Sequence, residues 1–248
     1  MNIGLYQSAS ALTALERWQG SVSQNITASQ VPGYKKRTVQ FNAEMMGQIS
    51  TSQKSNGSRG ESQPCYFPKA SYGINFQTGE VTPSGRELDA ALQGDGFFVV
   101  RLPNGNQAYT RNGEFSIRSD RTLVHSSGAE LLGEGGAPLQ ALPTGGKIVI
   151  NEDGSVHQGD AQIGKLQIVR FNDNSQLMPT SSSAFLAPGQ DPIPVEKPAV
   201  LQAYIEGSNV SPMHEMMDLV SIARAYEANQ KLISTRDSAL EKALEKLG

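Results

Sequence analysis

Cysteine occurs once in these 248 residues and tryptophan once, and no apolar run is longer than four residues, as in Phe97–Val100. Each scarcity excludes something. A single thiol, Cys65, cannot form an internal disulfide. That is usual for cytoplasmic chains and fits equally well a protein exported without oxidative folding. A membrane helix needs roughly 20 apolar residues, so no membrane span is expected. The start, Met1-Asn2-Ile3-Gly4-Leu5-Tyr6, has no basic stretch leading into an apolar one, and a cleavable secretory signal is not expected. Net charge is only −3, with no basic stripe, which argues against nucleic acid as a partner.

Chemistry is equally sparse. His125, His157 and His214 each stand alone, without the paired spacing of a zinc site. The reading is that His125 and His157 are solvated turn or strand residues and His214 lies in the first turn of a helix. Asn151-Glu152-Asp153-Gly154 has the look of a calcium loop but lacks the alternating ligands and the distal Glu, so it reads as a hairpin turn. Gly94-Asp95-Gly96 precedes a β run rather than a helix, which makes it a bend entering a strand and not a phosphate loop. Ser181-Ser182-Ser183 has no nucleophile-elbow pattern around it, and Cys65 has no nearby histidine in sequence. No catalytic, cofactor-binding or metal residues are expected, no cofactor is implied, and the chain is read as a non-enzyme.

What the chain does have is organisation. Hydrophobic residues make up 38% and charged residues 18%, a balance that suits a turn-rich β domain with polar tracts. The length allows one large domain or two smaller ones. The first segment reads as a helix from about Asn2 to Ala28. Leu5, Leu12 and Ile26 recur at multiples of seven, with Leu15 and Val22 beside them, although Gln19 and Gly20 interrupt the stripe. Pro32 ends it. Gln48 to Pro64 has Ile49 as its only large apolar residue and reads as a flexible loop.

From about Leu88 to Tyr204 short β runs alternate with turn signals. Phe97–Leu102, Phe115–Arg118, Lys147–Ile150 and Lys165–Phe171 read as strands. Asn104-Gly105, Asn112-Gly113 and Asp153-Gly154 mark turns, the pattern of an antiparallel domain. A long helix follows, from about Ser211 to Leu247, with Ser211 as N-cap and Pro212 at the first helical position. Leu219, Tyr226, Ile233, Leu240 and Leu247 fall at intervals of seven, and Ile222 and Ala223 widen the stripe. At 1.5 Å per residue the helix would be about 55 Å long.

Three blocks resemble the axial proteins of the bacterial flagellum. Asn25-Ile26-Thr27-Ala28, leading to Pro32-Gly33-Tyr34-Lys35, is similar to the rod-protein signature N-L-A-N-x-x-T-x-G-[FY]-K. Asn25, Gly33, Tyr34 and Lys35 match, whereas Thr27, Ala28 and Val31 depart from it. Leu88 to Val100, with Gly94, Gly96, Phe97 and Phe98 at its centre, leads into Tyr109-Thr110-Arg111-Asn112-Gly113-Glu114-Phe115 and resembles the core β motif of rod and hook proteins. Glu206-Gly207-Ser208-Asn209-Val210, continuing through Glu215-Met216 to Arg224–Asn229, is similar to the family's carboxy-terminal signature. The blocks span nearly the whole chain in family order, and the length and the region Leu201–Val210 resemble the proximal-rod FlgF type more than FlgG.

The resemblance implies a mixed α and β fold. Residues 1–33 would be the N-terminal helix and 208–248 the C-terminal helix of a coiled-coil-like D0 module. Residues 34–85 would be a linker and extended segment, and 86–207 a mainly antiparallel β domain, D1. Leu5, Leu12, Leu15, Val22, Ile26, Leu219, Tyr226, Ile233, Leu240 and Leu247 would form the assembly seam. It also implies a structural subunit of the basal-body rod, exported through the flagellar type III apparatus and joined to copies of itself and to other rod proteins. The competing expectation is a secreted β-domain carbohydrate-binding protein or enzyme with helical oligomerisation ends. It would need convergent carboxylates or an aromatic platform, and the lone Trp18 lies in the first helix instead.

Overall fold

The computed structural model describes residues 3–50, 62–143, 145–180 and 183–245, with the backbone alone at 3–5, 46–50, 62–65, 240, 243 and 244. The chain divides into two compact units. One is Met1–Thr27, Arg37–Gly73 and Ser211–Gly248; the other is Ala28–Lys36 and Ile74–Val210.

The first unit holds both long helices. α1 runs Ile3–Thr27 and α2 runs Pro212–Glu245, each within about two residues of the expected ends. Pro212 opens α2, where its missing N–H costs nothing. Glu215 N donates to Ser211 O at 3.1 Å in the first turn, and the Ser211 hydroxyl meets the His214 imidazole at 3.0 Å. α1 and α2 pack through Leu15, Val22 and Ile222, flanked by Trp18, Ile26, Leu219, Ala225 and Tyr226. Beside them lies a two-stranded sheet, β1 (Arg37–Ser50) with β2 (Ser62–Ile74). Trp18 meets Phe41 edge-on at 5.6 Å, and Ser10 Oγ donates to Pro68 O at 2.9 Å. The tract Gln48–Pro64, expected as a flexible loop, therefore begins and ends inside strands; its residues 51–61 lie outside the described ones.

The second unit is antiparallel throughout. Its strands are β3 (Val81–Pro83), β4 (Ala90–Gln93), β5 (Phe97–Arg101), β6 (Gln107–Thr110), β7 (Phe115–Ile117), β8 (Leu123–His125), β9 (Glu130–Leu131) and β10 (Ile148–Ile150). They continue with β11 (Ser155–Gln158), β12 (Ala161–Lys165), β13 (Ile168–Arg170), β14 (Met178–Pro179), β15 (Ala184–Leu186), β16 (Ile193–Pro194), β17 (Ala199–Gln202) and β18 (Tyr204–Glu206). The largest sheet runs β14-β15-β6-β5-β9-β8-β7, with β13 joining β5 to β16. β10-β11-β12 form a second sheet, and β17 pairs with β4 and β18 with β3.

β5 explains its own apolar run. Side chains alternate across a strand. Phe98 and Val100 enter one core cluster, with Phe115, Leu131, Ile148 and Leu166, while Phe97 and Val99 enter another, with Tyr109, Phe171 and Phe185. A strand buried on both faces has no polar side to alternate with. The Asn151–Gly154 tract is the expected hairpin turn: Gly154 N donates to Asn151 O at 3.0 Å, and Ser155 N to Asp153 Oδ1 at 3.0 Å.

Three expectations need correction. Asn112-Gly113 is not a turn between paired strands: β6 pairs with β5 and β15, β7 pairs with β8, and Asn112 is buried. Lys165–Phe171 is not one strand. β12 ends at Lys165, Leu166 N turns to Gly154 O, and β13 then pairs with β5. His125 is not solvated. It closes β8 fully buried, edge-on to Phe115 with ring centroids 6.4 Å apart, because β8 lies between β7 and β9.

Candidate functional site

The β unit encloses a cluster of charges. Lys35 follows the turn at Gly33, Arg111 follows the last residue of β6, and Glu206 ends β18. Lys35 Nζ donates to Glu206 Oε1 at 2.5 Å and to Gln77 O at 2.8 Å. Arg111 Nη1 reaches Glu206 Oε2 at 3.3 Å, and its Nη2 donates to Gly94 O at 2.5 Å. Gly79 N completes the shell with a 3.0 Å bond to Glu206 Oε1. The Lys35 and Glu206 side chains have 0% exposure and Arg111 only 4%. One carboxylate therefore serves two buried cations. The surplus positive charge rests on backbone carbonyls and on the Phe97 ring, 5.6 Å from the guanidinium. Burial pulls Lys35 below the usual lysine range against the opposing pull of Glu206, and burial likewise lowers Arg111.

Asn209 ties the same passages of chain together. Its Oδ1 accepts from Lys36 N at 2.6 Å, and its Nδ2 donates to Asn75 O at 2.8 Å and Gln77 O at 2.9 Å. Gly33 N donates to Glu206 O at 2.7 Å. Gly33 has φ +66°, and a Cβ there would stand 2.2 Å from Asn112 N, so the approach admits only glycine. Ser208 Oγ accepts from Val210 N at 3.2 Å, and Val210 is buried. Gly33, Tyr34 and Lys35 from the first sequence block thus meet Gly94 from the second and Glu206 and Asn209 from the third. Gly96, Phe97 and Phe98 lead from the bend into the core through β5. Sequence reasoning missed the parts of Arg111, Gln77 and Gly79. Arg111 stood inside a quoted motif, but nothing local marks a side chain as buried and paired.

Within the helical unit, Asn25 does similar work. Its Nδ2 donates to Arg37 O and to Glu215 Oε2, both at 2.9 Å, and its Oδ1 accepts from Arg37 N at 2.9 Å. Both Asn25 and Glu215 are buried. Glu215 is a further polar residue that helix periodicity did not single out.

Of the expected seam residues, Leu15 and Val22 are buried, and Ile26, Leu219 and Tyr226 are partly buried around Ile222. Leu12 and Ile233 line an open groove of ≈750 Å³ together with Gln230, Asp237 and Glu241. The Leu5 and Leu240 side chains, the whole of Leu247, the Cys65 side chain and Ser181–Ser182 lie outside the described residues. Among the described residues, no helix is long and apolar enough to cross a membrane.

Comparisons with known proteins place these features in a family. Residues 91–158 match the model described as the flagellar hook protein FlgE/F/G D1 domain. Residues 201–246 match the one described as the flagellar basal body rod FlgEFG protein C-terminal. A flagellar basal-body rod protein FlgF of Rhizobium meliloti (strain 1021) is 32% identical over 100% of this chain and 99% of its own length. The FlgF of Caulobacter vibrioides is 30% identical over 100% of this chain and 99% of its own. A FlgG of Buchnera aphidicola subsp. Acyrthosiphon pisum is 30% identical over 96% of this chain and 97% of its own. With relatives matched end to end at this identity, the chain belongs to the flagellar basal-body rod protein family, with the FlgF type favoured over FlgG.

Proposed function

We propose that this chain is a structural subunit of the flagellar basal-body rod, polymerising through its terminal helices into a hollow shaft that carries torque from motor to hook. The observation that carries this reading is the pairing of α1 and α2, from opposite ends of the sequence, in one unit of a chain whose FlgF relatives match it end to end. In this reading the helices are the D0 module, packed in coiled-coil fashion with neighbours along the seam, and 86–207 is the outer D1 domain. The other rod proteins and copies of this chain are its partners. It reaches the periplasm-spanning rod through the flagellar type III apparatus, without a cleaved signal. A buried Leu or Ile contributes roughly 1.5–3 kcal/mol, and a line of them along a helix of about 50 Å resists shear better than a point contact. The work is mechanical and calls for no catalysis. Lys35, Arg111 and Glu206 fit that role, since groups with almost no exposed surface bind one another and not a substrate. Electron microscopy of basal bodies from a deletion strain is the test: rods should be absent or truncated and return on complementation, and intact rods without the protein would refute the proposal.

A further inference from the structure

The β1–β2 sheet has two unlike faces. Asn42 Nδ2 donates to Ser71 Oγ at 3.3 Å, and Lys69 pairs with Glu44 at 2.8 Å, so positions 42 and 44 share a polar face with 69 and 71. Strand alternation then puts Val39, Phe41, Ala43 and Met45 on the other face with Tyr66, Pro68, Ala70 and Tyr72. Past Arg37 at the start of β1, none of these eight side chains is charged. α1 covers part of it, through Trp18 on Phe41, and Ala70 is buried. Phe41, Met45, Tyr66 and Tyr72 nevertheless remain 46–62% exposed. An isolated two-stranded sheet is marginal in water, and a half-covered apolar face is an incomplete one.

The same unit has a second uncharged surface. Met213, Met216, Met217 and Val220 project from the first turns of α2 at helical spacing and are 53–70% exposed. They lie away from Leu219 and Ile222, which face α1. Methionine adapts its shape to an irregular apolar surface.

We propose that in the assembly the Met213–Met216–Met217–Val220 stripe of one copy docks on the half-covered apolar sheet face of a second copy. This deepens the rod-subunit reading and rests on it. Three observations favour this occupant. The sheet face already receives a helix, α1, so it suits helix packing. The two surfaces match in size: a whole aromatic side chain buries roughly 150–250 Å², and four half-exposed side chains on each surface leave about 400 Å² a side. One such joint would bury about 800 Å² from these eight side chains, just short of the ~1,000 Å² of a specific interface. Dilute copies would therefore stay apart, while a subunit using both surfaces at once is held. Finally, stripe on sheet is a head-to-tail joint that leaves a free surface at each end, the kind that propagates into an open helical filament.

Cysteine cross-linking tests the joint in the full-length protein. In a Cys65→Ser background, Tyr72→Cys and Met217→Cys are made separately, both at exposed positions. Basal bodies are isolated from cells producing each variant alone and both together, then oxidised. The expected result is a disulfide-linked dimer from the mixed cells and none from either variant alone. Overturning results are no dimer although both variants are present in the basal bodies, or a dimer from one variant alone, which means like surfaces meet. Absence of the unsubstituted chain from basal bodies would refute the rod reading itself, and the joint with it.

Discussion

Replacing Glu206 by Gln keeps the shape of the buried cluster and removes the carboxylate that Lys35 and Arg111 share. Lys35 and Arg111 would then be two cations, almost wholly enclosed, facing an amide. Breaking a buried ion pair from one side costs about 3–5 kcal/mol, because the orphaned charge stays desolvated. Lys35→Met is the informative contrast. It leaves Glu206 with Arg111 and the Gly79 N–H, a neutral set, and removes a charge that burial already disfavours. The lost bonds, to Gln77 O and Glu206, are worth about 1–3 kcal/mol together. An exposed pair in the same unit supplies the baseline: Lys147→Met, opposite Glu87, should change stability by about 0–1 kcal/mol. Against a total stability of roughly 5–15 kcal/mol, these three ranges predict a definite order of cost. Urea unfolding of the full chain, followed by amide exchange in β5, gives the ranking. If Lys35→Met costs as much as Glu206→Gln or more, the charge argument is wrong.

Acid should weaken the β unit through His125. Burial lowers its pKa from 6.5 to about 4, and its Nε2 has no hydrogen-bond partner among the described residues. Between those values the unfolded chain holds a proton that the folded one does not, so stability is full above about pH 6.5 and falls by about 3 kcal/mol as pH drops to about 4. His125→Gln should flatten that slope in unfolding curves taken across the window; an unchanged slope would refute it. Two backbone changes should act in opposite directions on the melting temperature. Gly33→Ala forces a Cβ to within 2.2 Å of Asn112 N at φ +66° and should cost more than about 2 kcal/mol. Ala203→Gly frees a residue held at φ +62° between β17 and β18 and should gain about 1 kcal/mol.

Where a pattern is local, it was legible in the sequence. Four successive apolar residues in β5, bounded by a glycine bend, announce a strand covered on both faces, and Asp153-Gly154 announces its turn. The packing line between α1 and α2 was legible only in part. A heptad line through Leu219, Tyr226 and Ile233 made Ile222 peripheral, but a straight helix turns every 3.6 residues, and the buried line drifts through Glu215, Leu219, Ile222 and Tyr226. The sheet of β1 and β2 was hidden for a different reason. Residues 48–64 are poor in apolar side chains and read as a loop, although the alternation Val39, Phe41, Ala43, Met45 stands just before them. The charge cluster could not be read locally at all. Lys35 and Glu206 lie 171 residues apart, and each alone is an ordinary charged residue beside a turn or strand.

The central claim, that the terminal helices build the shaft, is tested most directly by cryo-electron microscopy of basal bodies carrying this protein, at a resolution that traces helices. The account predicts α1 and α2 of successive copies packed side by side around the lumen, with the β unit outside them. A rod in which the β unit lines the lumen, or in which α1 and α2 touch no neighbouring subunit, would contradict it.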